Sequence, residues 1–287
     1  MKPTSKILLN KVTDEVVISI LNDIVPVLNG LGIDYFIVGA FARDLKLYER
    51  GYNKASKRKT KDIDLAVMVS SQEELDQMKG RISELKGYML HPEEPYRFLY
   101  NNAYEVDFLP FGEIANEKGQ VELKAKTTFV LDIPGFMEVF PWVESIETEA
   151  GIKLNVSSLE GIVLLKIIAW DDRKERKKDI QDISYILENF YLLHLDEIAE
   201  DADELFELYE DEKLYFDECV SARYIGRQIG KILSESPALL ERIISILRRE
   251  TQNSIHSKMG ILMEKNTLES AVRIIKQIIF GIEDIRE

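Results

Sequence analysis

The chain holds one cysteine, Cys219, three histidines and two tryptophans in 287 residues. A single thiol excludes an internal disulfide, and so few Cys and His side chains make a zinc site built on them hard to assemble. No apolar run approaches the roughly 18 residues of a membrane span. Asp14 and Glu15 interrupt the N-terminal segment before a signal-peptide core could form. The expected setting is therefore a reducing cytoplasm, with no membrane partner. Positive charge is also scarce: 37 basic against 51 acidic side chains leave a net charge of −14, which argues against nonspecific coating of nucleic acid. The deficit is uneven. Arg50, Lys54, Lys57, Arg58, Lys59 and Lys61 lie in a stretch with no acid, so a local anionic partner is compatible with an acidic protein. What is present, 45% apolar and 31% charged residues, is the composition of a folded chain long enough for one large domain or two modest ones.

Hydrophobic spacing divides the chain into an α/β front and a helical back. Val16, Val17, Ile20, Leu21, Ile24 and Leu28 recur at helical intervals over 14–31, with Thr13 as the expected cap, Gly30 and Gly32 as the close, and a kink or earlier end at Pro26. Tyr35-Phe36-Ile37-Val38 reads as a buried strand that opens at Gly39 into a helix from Phe41 to about Tyr48. A polar loop over 49–60 precedes a second strand, Ile63 to Val69, and a helix over 72–85. Tyr96 to Tyr100 and Tyr104 to Leu109 read as a hairpin turned by Asn101-Asn102-Ala103 and stopped by Pro110 and Gly112. Residues 113–156 are expected to be irregular with short strands. From Ser157, with the capping-box spacing Ser157-x-x-Glu160, helical signatures dominate to the end. The domain expectation is thus 1–150 and 151–287.

The most informative stretch is Lys61-Asp62-Ile63-Asp64-Leu65. In a strand, residues i and i+2 project from one face, so Asp62 and Asp64 stand side by side while Ile63 and Leu65 face the other way. Adjacent carboxylates repel each other unless a cation lies between them, and Mg²⁺ is typically held by one or two carboxylates plus substrate phosphates. The bland alternative is a solvated strand face. Asp107, on an alternating strand that also carries Glu105, is a third candidate ligand if the two strands are neighbours, with Glu105 as its local competitor. Gly39 and Ala40 place small residues where a strand passes into a helix, and a helix N-terminus offers N–H groups and a favourable dipole to an anion.

Together these residues carry a resemblance. Gly39-Ala40 at a strand-to-helix turn, Thr60-Lys61-Asp62-Ile63-Asp64-Leu65, and Val106-Asp107 on a later strand resemble the DNA polymerase β-type nucleotidyltransferase superfamily. Val38 to Asp44 is also similar to the corresponding turn of CCA-adding enzymes. Ala40 stands where many members have Ser, which removes a hydroxyl from the expected phosphate contact and leaves the backbone donors. The segments 107–112, 158–183 and 222–227 are similar to the predicted nucleotidyltransferases related to AbiEii toxins of type IV toxin–antitoxin systems. The resemblance implies an α+β fold: a mixed sheet flanked by helices, followed by a mainly helical part that contributes Lys166 and Asp179. It implies transfer of a nucleoside monophosphate (NMP) from a nucleoside triphosphate (NTP) to an acceptor hydroxyl. Asp62, Asp64 and Asp107 would hold two Mg²⁺ ions, with Mn²⁺ as an alternative. Gly39, Ala40, Arg43, Arg58, Thr60, Lys166, Arg173 and Asp179 would bind the nucleotide, and the expected catalytic residues are Asp62, Asp64, Asp107 and Lys166, with Lys166 offsetting charge on the leaving pyrophosphate. The acceptor it favours is the end of a tRNA or another RNA, with an antitoxin as protein partner.

Lys166 stands out on physical grounds as well. It is the only charge between Glu160 and Asp171 in a segment apolar all around, and a buried ammonium needs an anion nearby. A triphosphate would supply one; so would Asp179 and Asp182, one turn apart on the next helix. Three other readings stay open at this stage: a small-molecule adenylyltransferase of the aminoglycoside-modifying kind, a protein AMPylating enzyme, and a non-catalytic nucleotide-binding partner that keeps the fold.

Overall fold

A computed structural model describes residues 6–52, 61–123, 128–252 and 256–286, and the chain divides into two compact units, 1–158 and 159–287. The division lies eight residues beyond the expected boundary of 150, because the strand over 153–156 pairs inside the first unit.

In the first unit the opening helix runs Glu15–Leu31. Its cap is Asp14 rather than Thr13: Asp14 Oδ1 accepts from the N–H groups of Val16 and Val17, each at 3.0 Å. The helix also continues through Pro26 to Leu31. Proline there forfeits one intrahelical bond, but Val25 and Leu28 on either side of it are buried, and Gly32, with φ +69°, closes the last turn in the left-handed conformation.

The strands are β1 (Tyr35–Val38), β2 (Asp62–Met68), β3 (Tyr88–Leu90), β4 (Arg97–Tyr100), β5 (Tyr104–Phe111), β6 (Gln120–Leu123), β7 (Phe129–Asp132), β8 (Glu144–Glu147) and β9 (Lys153–Val156). Seven of them form one mixed sheet in the order β3-β4-β5-β2-β1-β9-β8, and β6 and β7 form a separate hairpin. β2 is antiparallel to β1 and parallel to β5. All four residues of β1 are buried, which accounts for its continuous apolar run at the sheet interior. The Gly39–Glu49 helix packs on β1 and β2. Asn101 and Asn102, with φ of 50° and 56°, make the expected turn between β4 and β5.

Two expectations change here. β5 does not stop before Pro110 but runs to Phe111. The N–H of Phe108 bonds Tyr96 O on the β4 side at 2.7 Å; two residues on, the nitrogen of Pro110 faces the same side, past the end of β4, where no ladder donor is required. Residues 113–156 are also more regular than expected, with two hairpins built from four-residue strands.

The second unit is helical: Leu159–Asp172, Lys177–Leu193, Phe216–Ile232, Pro237–Gln252 and Leu268–Asp284 are its longer helices. The segment 222–227 owes its character to packing. A Cβ on Gly226 would overlap the carbonyl oxygen of Ile278, and one on Gly281 would overlap that of Arg223, so two backbones meet where only glycine fits. Arg223 and Arg227 then close on Asp284, with Nε atoms 2.8 and 2.7 Å from Oδ2. Among the described residues no helix is long and apolar enough to cross a membrane.

Candidate active site

Strand register sets the geometry of the site. Val38 on β1 lies opposite Asp64 on β2, Asp64 beside Asp107 on β5, and Asp107 opposite Arg97 on β4. Paired positions in a sheet project from the same face, so Arg97, Asp107 and Asp64 form one row. Asp62 and Glu105 form the row next to it. The strands of the three expected metal ligands are neighbours, as that expectation required. Ile63 and Leu65, on the other face, are fully buried and hold β2 in this register.

At the end of β1 the chain turns into the Gly39–Glu49 helix with φ +74° at Gly39. A Cβ there would overlap Asp64 Oδ2 and stand 3.1 Å from its Cγ. Glycine is therefore required twice, for the backbone angle and for the carboxylate seated against it. Val38, at the N-cap, has no side chain able to accept from the N–H groups of the first turn. Gly39→Ala is expected to cost about 1–3 kcal/mol of stability in backbone strain and to reduce transfer activity further by displacing Asp64. Gly32→Ala is the control, because Gly32 has a similar φ of +69° but nothing within 4 Å of a Cβ. It should show the thermal destabilisation and keep the activity; equal activity losses in the two variants would sink the seating argument.

Asp107 is already engaged. Arg97 donates to both its oxygens, Nε to Oδ1 at 2.6 Å and Nη2 to Oδ2 at 2.8 Å, a bidentate fork. Nη1 of the same guanidinium meets Glu94 Oε2 at 2.7 Å and Glu105 Oε2 at 3.0 Å. Burial pushes the Asp107 carboxyl above its ordinary range; Arg97 pulls it down, and the nearby charges of Glu94 and Asp62 add to the rise. With Asp107 turned to Arg97, no group of three or more His, Cys, Asp or Glu side chains among the described residues is arranged as a ready metal-ligand set. Glu105, expected to compete with Asp107 for a metal, instead shares its cation.

Arg97 escaped the sequence reading, although a signal existed. The hairpin turn pairs Tyr100 with Tyr104, and counting outward from that pair sets Arg97 opposite Asp107. Of the other expected residues, Arg43 is buried along the Gly39–Glu49 helix and forks onto its neighbour Asp44, with Nε and Nη2 at 2.8 and 2.6 Å from Oδ1. Arg58 and Thr60 lie outside the described residues.

In the second unit Lys166 is 9% exposed, as its apolar surroundings required. Its counter-charges come from the protein: Asp179 Oδ1 at 3.1 Å and Asp182 Oδ2 at 2.5 Å. Asp179 also meets Arg176 Nε at 3.3 Å. This carboxylate pair ties the Leu159–Asp172 helix to the Lys177–Leu193 helix. Trp170, one turn along from Lys166, is fully buried, whereas Arg173 is exposed just past the helix end.

Several solved structures share part of this chain trace at low similarity. The antibiotic-resistance factor ANT(2'')-Ia is 14% identical with a TM-score of 0.37, over 69% of this chain and 100% of that one. An antigenic nucleotidyltransferase-like protein from Paracoccidioides brasiliensis is 16% identical with a TM-score of 0.41, over 61% of this chain and 77% of that one. A CCA-adding enzyme in complex with CTP is 14% identical with a TM-score of 0.33, over 97% and 71%. No curated protein matches the chain. The family model of the nucleotidyl transferase AbiEii toxin, of type IV toxin–antitoxin systems, matches residues 39–255. That span opens on the Gly39 turn and contains Asp62, Asp64, Asp107, Lys166 and Asp179, and the chain belongs to the AbiEii nucleotidyltransferase family.

Proposed function

We propose that this nucleotidyltransferase moves an NMP from Mg²⁺·NTP to a hydroxyl at the end of an RNA, tRNA foremost, and that it does so as the toxin of a pair whose antitoxin is a separate protein. The observation that carries the reading is the seating of Asp64 against Gly39, with Asp62 two residues before it on the same face and Asp107 beside it on the next strand.

The donors fit a hard cation. Asp62 and Asp64 offer carboxylate oxygens and no sulfur or imidazole, the chemistry that suits Mg²⁺ or Mn²⁺, and together they suffice for one ion shared with a triphosphate. When bound, the metal would neutralise phosphate charge and make the acceptor hydroxyl a better nucleophile. The remaining work belongs to the chain. The N–H groups at Gly39 and Ala40 seat phosphate oxygens. Asp62 and Asp64 would hold the metal ion, and with it the triphosphate. The hydroxyl oxygen forms a bond to the α-phosphorus, the bond to the bridging oxygen breaks, and pyrophosphate leaves with that electron pair. Asp107, once released from Arg97, would receive the hydroxyl proton. The basic stretch over 50–61, directly before β2 in sequence, suits an RNA backbone or a triphosphate.

Incubation with each α-³²P-labelled NTP, Mg²⁺ and total RNA tests the acceptor. Label should enter RNA and disappear when the RNA is digested beforehand. Label that survives digestion would move the acceptor to a protein or a small molecule, and no label with any acceptor would favour a non-catalytic partner.

A further inference from the structure

Arg97 occupies the one carboxylate of the row that a second metal ion would need. Both oxygens of Asp107 are taken by Nε and Nη2, and the side chains of the pair are only 20% and 13% exposed. A divalent cation on the same carboxylate would stand at contact distance from the guanidinium, and two cations in a partly desolvated site repel strongly, so the fork and the ion compete for Asp107. The surroundings also provide a way off. Nη1 is held independently by Glu94 and Glu105, at 2.7 and 3.0 Å. The guanidinium can therefore leave Asp107 while keeping carboxylate partners, which lowers the cost of the exchange.

We propose that Arg97 is an internal counter-cation that holds Asp107 until a divalent cation displaces it. Arg97 is in this sense a positioning residue, and it governs when Asp107 can serve as a ligand. The inference rests on the metal-dependent reading of the same row.

Mn²⁺ binding, followed by the electron paramagnetic resonance of the free ion, separates the possibilities without recourse to activity. In the full-length protein, Arg97→Gln should tighten the weaker Mn²⁺ site by about tenfold or more, the scale expected when one positive charge leaves a half-buried contact. The gain should vanish in the Arg97→Gln/Asp107→Asn double variant. Arg97→Lys keeps the charge without the fork, and should tighten the site by a smaller factor; it provides the measurement if Arg97→Gln does not fold. Thermal unfolding with and without Mn²⁺ reads the same exchange, with a larger Mn²⁺-induced stabilisation in Arg97→Gln than in the unaltered protein. Unchanged or weaker Mn²⁺ binding in both Arg97 variants, with binding still abolished by Asp64→Asn, would overturn the exchange and leave the metal-dependent reading intact. No Mn²⁺ binding in any form would overturn both.

Discussion

Asp64→Asn is expected to abolish NMP transfer while the protein keeps its fold. The side chain sits between two constraints, the Gly39 turn on one side and Asp107 on the other. Asn fills the same volume, so packing around β2 is preserved, but it lacks the charge that a hard cation and a triphosphate require. A single charge-stabilising group removed from a transition state costs roughly 10²–10³-fold in rate; here metal binding is lost as well, and the expected fall lies at or beyond the upper end. Initial rates with α-³²P-NTP, alongside circular dichroism and thermal unfolding, check it. Asp62→Asn should follow the same pattern less severely, because Asp62 is exposed at the start of β2. A folded Asp64→Asn protein with an unaltered rate would remove the row from the chemistry altogether.

The second large effect belongs to Lys166 and is expected in stability. Lys166→Met replaces the ammonium with an apolar chain of similar length and leaves Asp179 and Asp182 facing each other without their shared cation. Removing one partner of a buried pair typically costs about 3–5 kcal/mol, and here two carboxylates lose a shared cation, although Asp179 keeps its contact with Arg176. Urea unfolding should show a loss of unfolding free energy of that size in the single variant. Adding Asp179→Asn and Asp182→Asn should return much of the loss, the signature of coupled neighbours in a mutant cycle. A Lys166→Met protein as stable as the original would mean that the two carboxylates find other partners, and the pairing would then have no structural weight.

Parts of this structure were legible in the sequence for identifiable reasons. β1 announced itself as an apolar run because it lies inside the sheet, and the facing of Asp62 and Asp64 followed from strand alternation once Ile63 and Leu65 were recognised as the buried side. Asp179 and Asp182 could be named as candidate partners of Lys166 because a buried cation must find an anion and helical spacing puts both on one face. What escaped were features that need more than one strand at a time. The four-residue strands β6, β7, β8 and β9 are too short to display a period. The pairing of β9 with β1 joins residues far apart in the chain. Arg97 has no local mark at all; its meaning appears only when the hairpin register is counted across to Asp107.

The late arrival of β9 bears on how the protein is made. β1 ends at Val38, directly before the Gly39 turn, and one of its two edges is covered only when residues 153–156 are present. On a ribosome, a nascent chain that extends past residue 111 but has not reached 153 can carry a β1-β2-β5 layer with an apolar strand open along one side, a surface that invites pairing with another chain. A fragment cut at residue 150 would keep that exposure permanently. It should accumulate as aggregates, whereas a fragment reaching residue 158 closes the edge. The pyrophosphate-releasing machinery thus comes to rest on a strand that is among the first of the sheet to be synthesised and the last to be sealed.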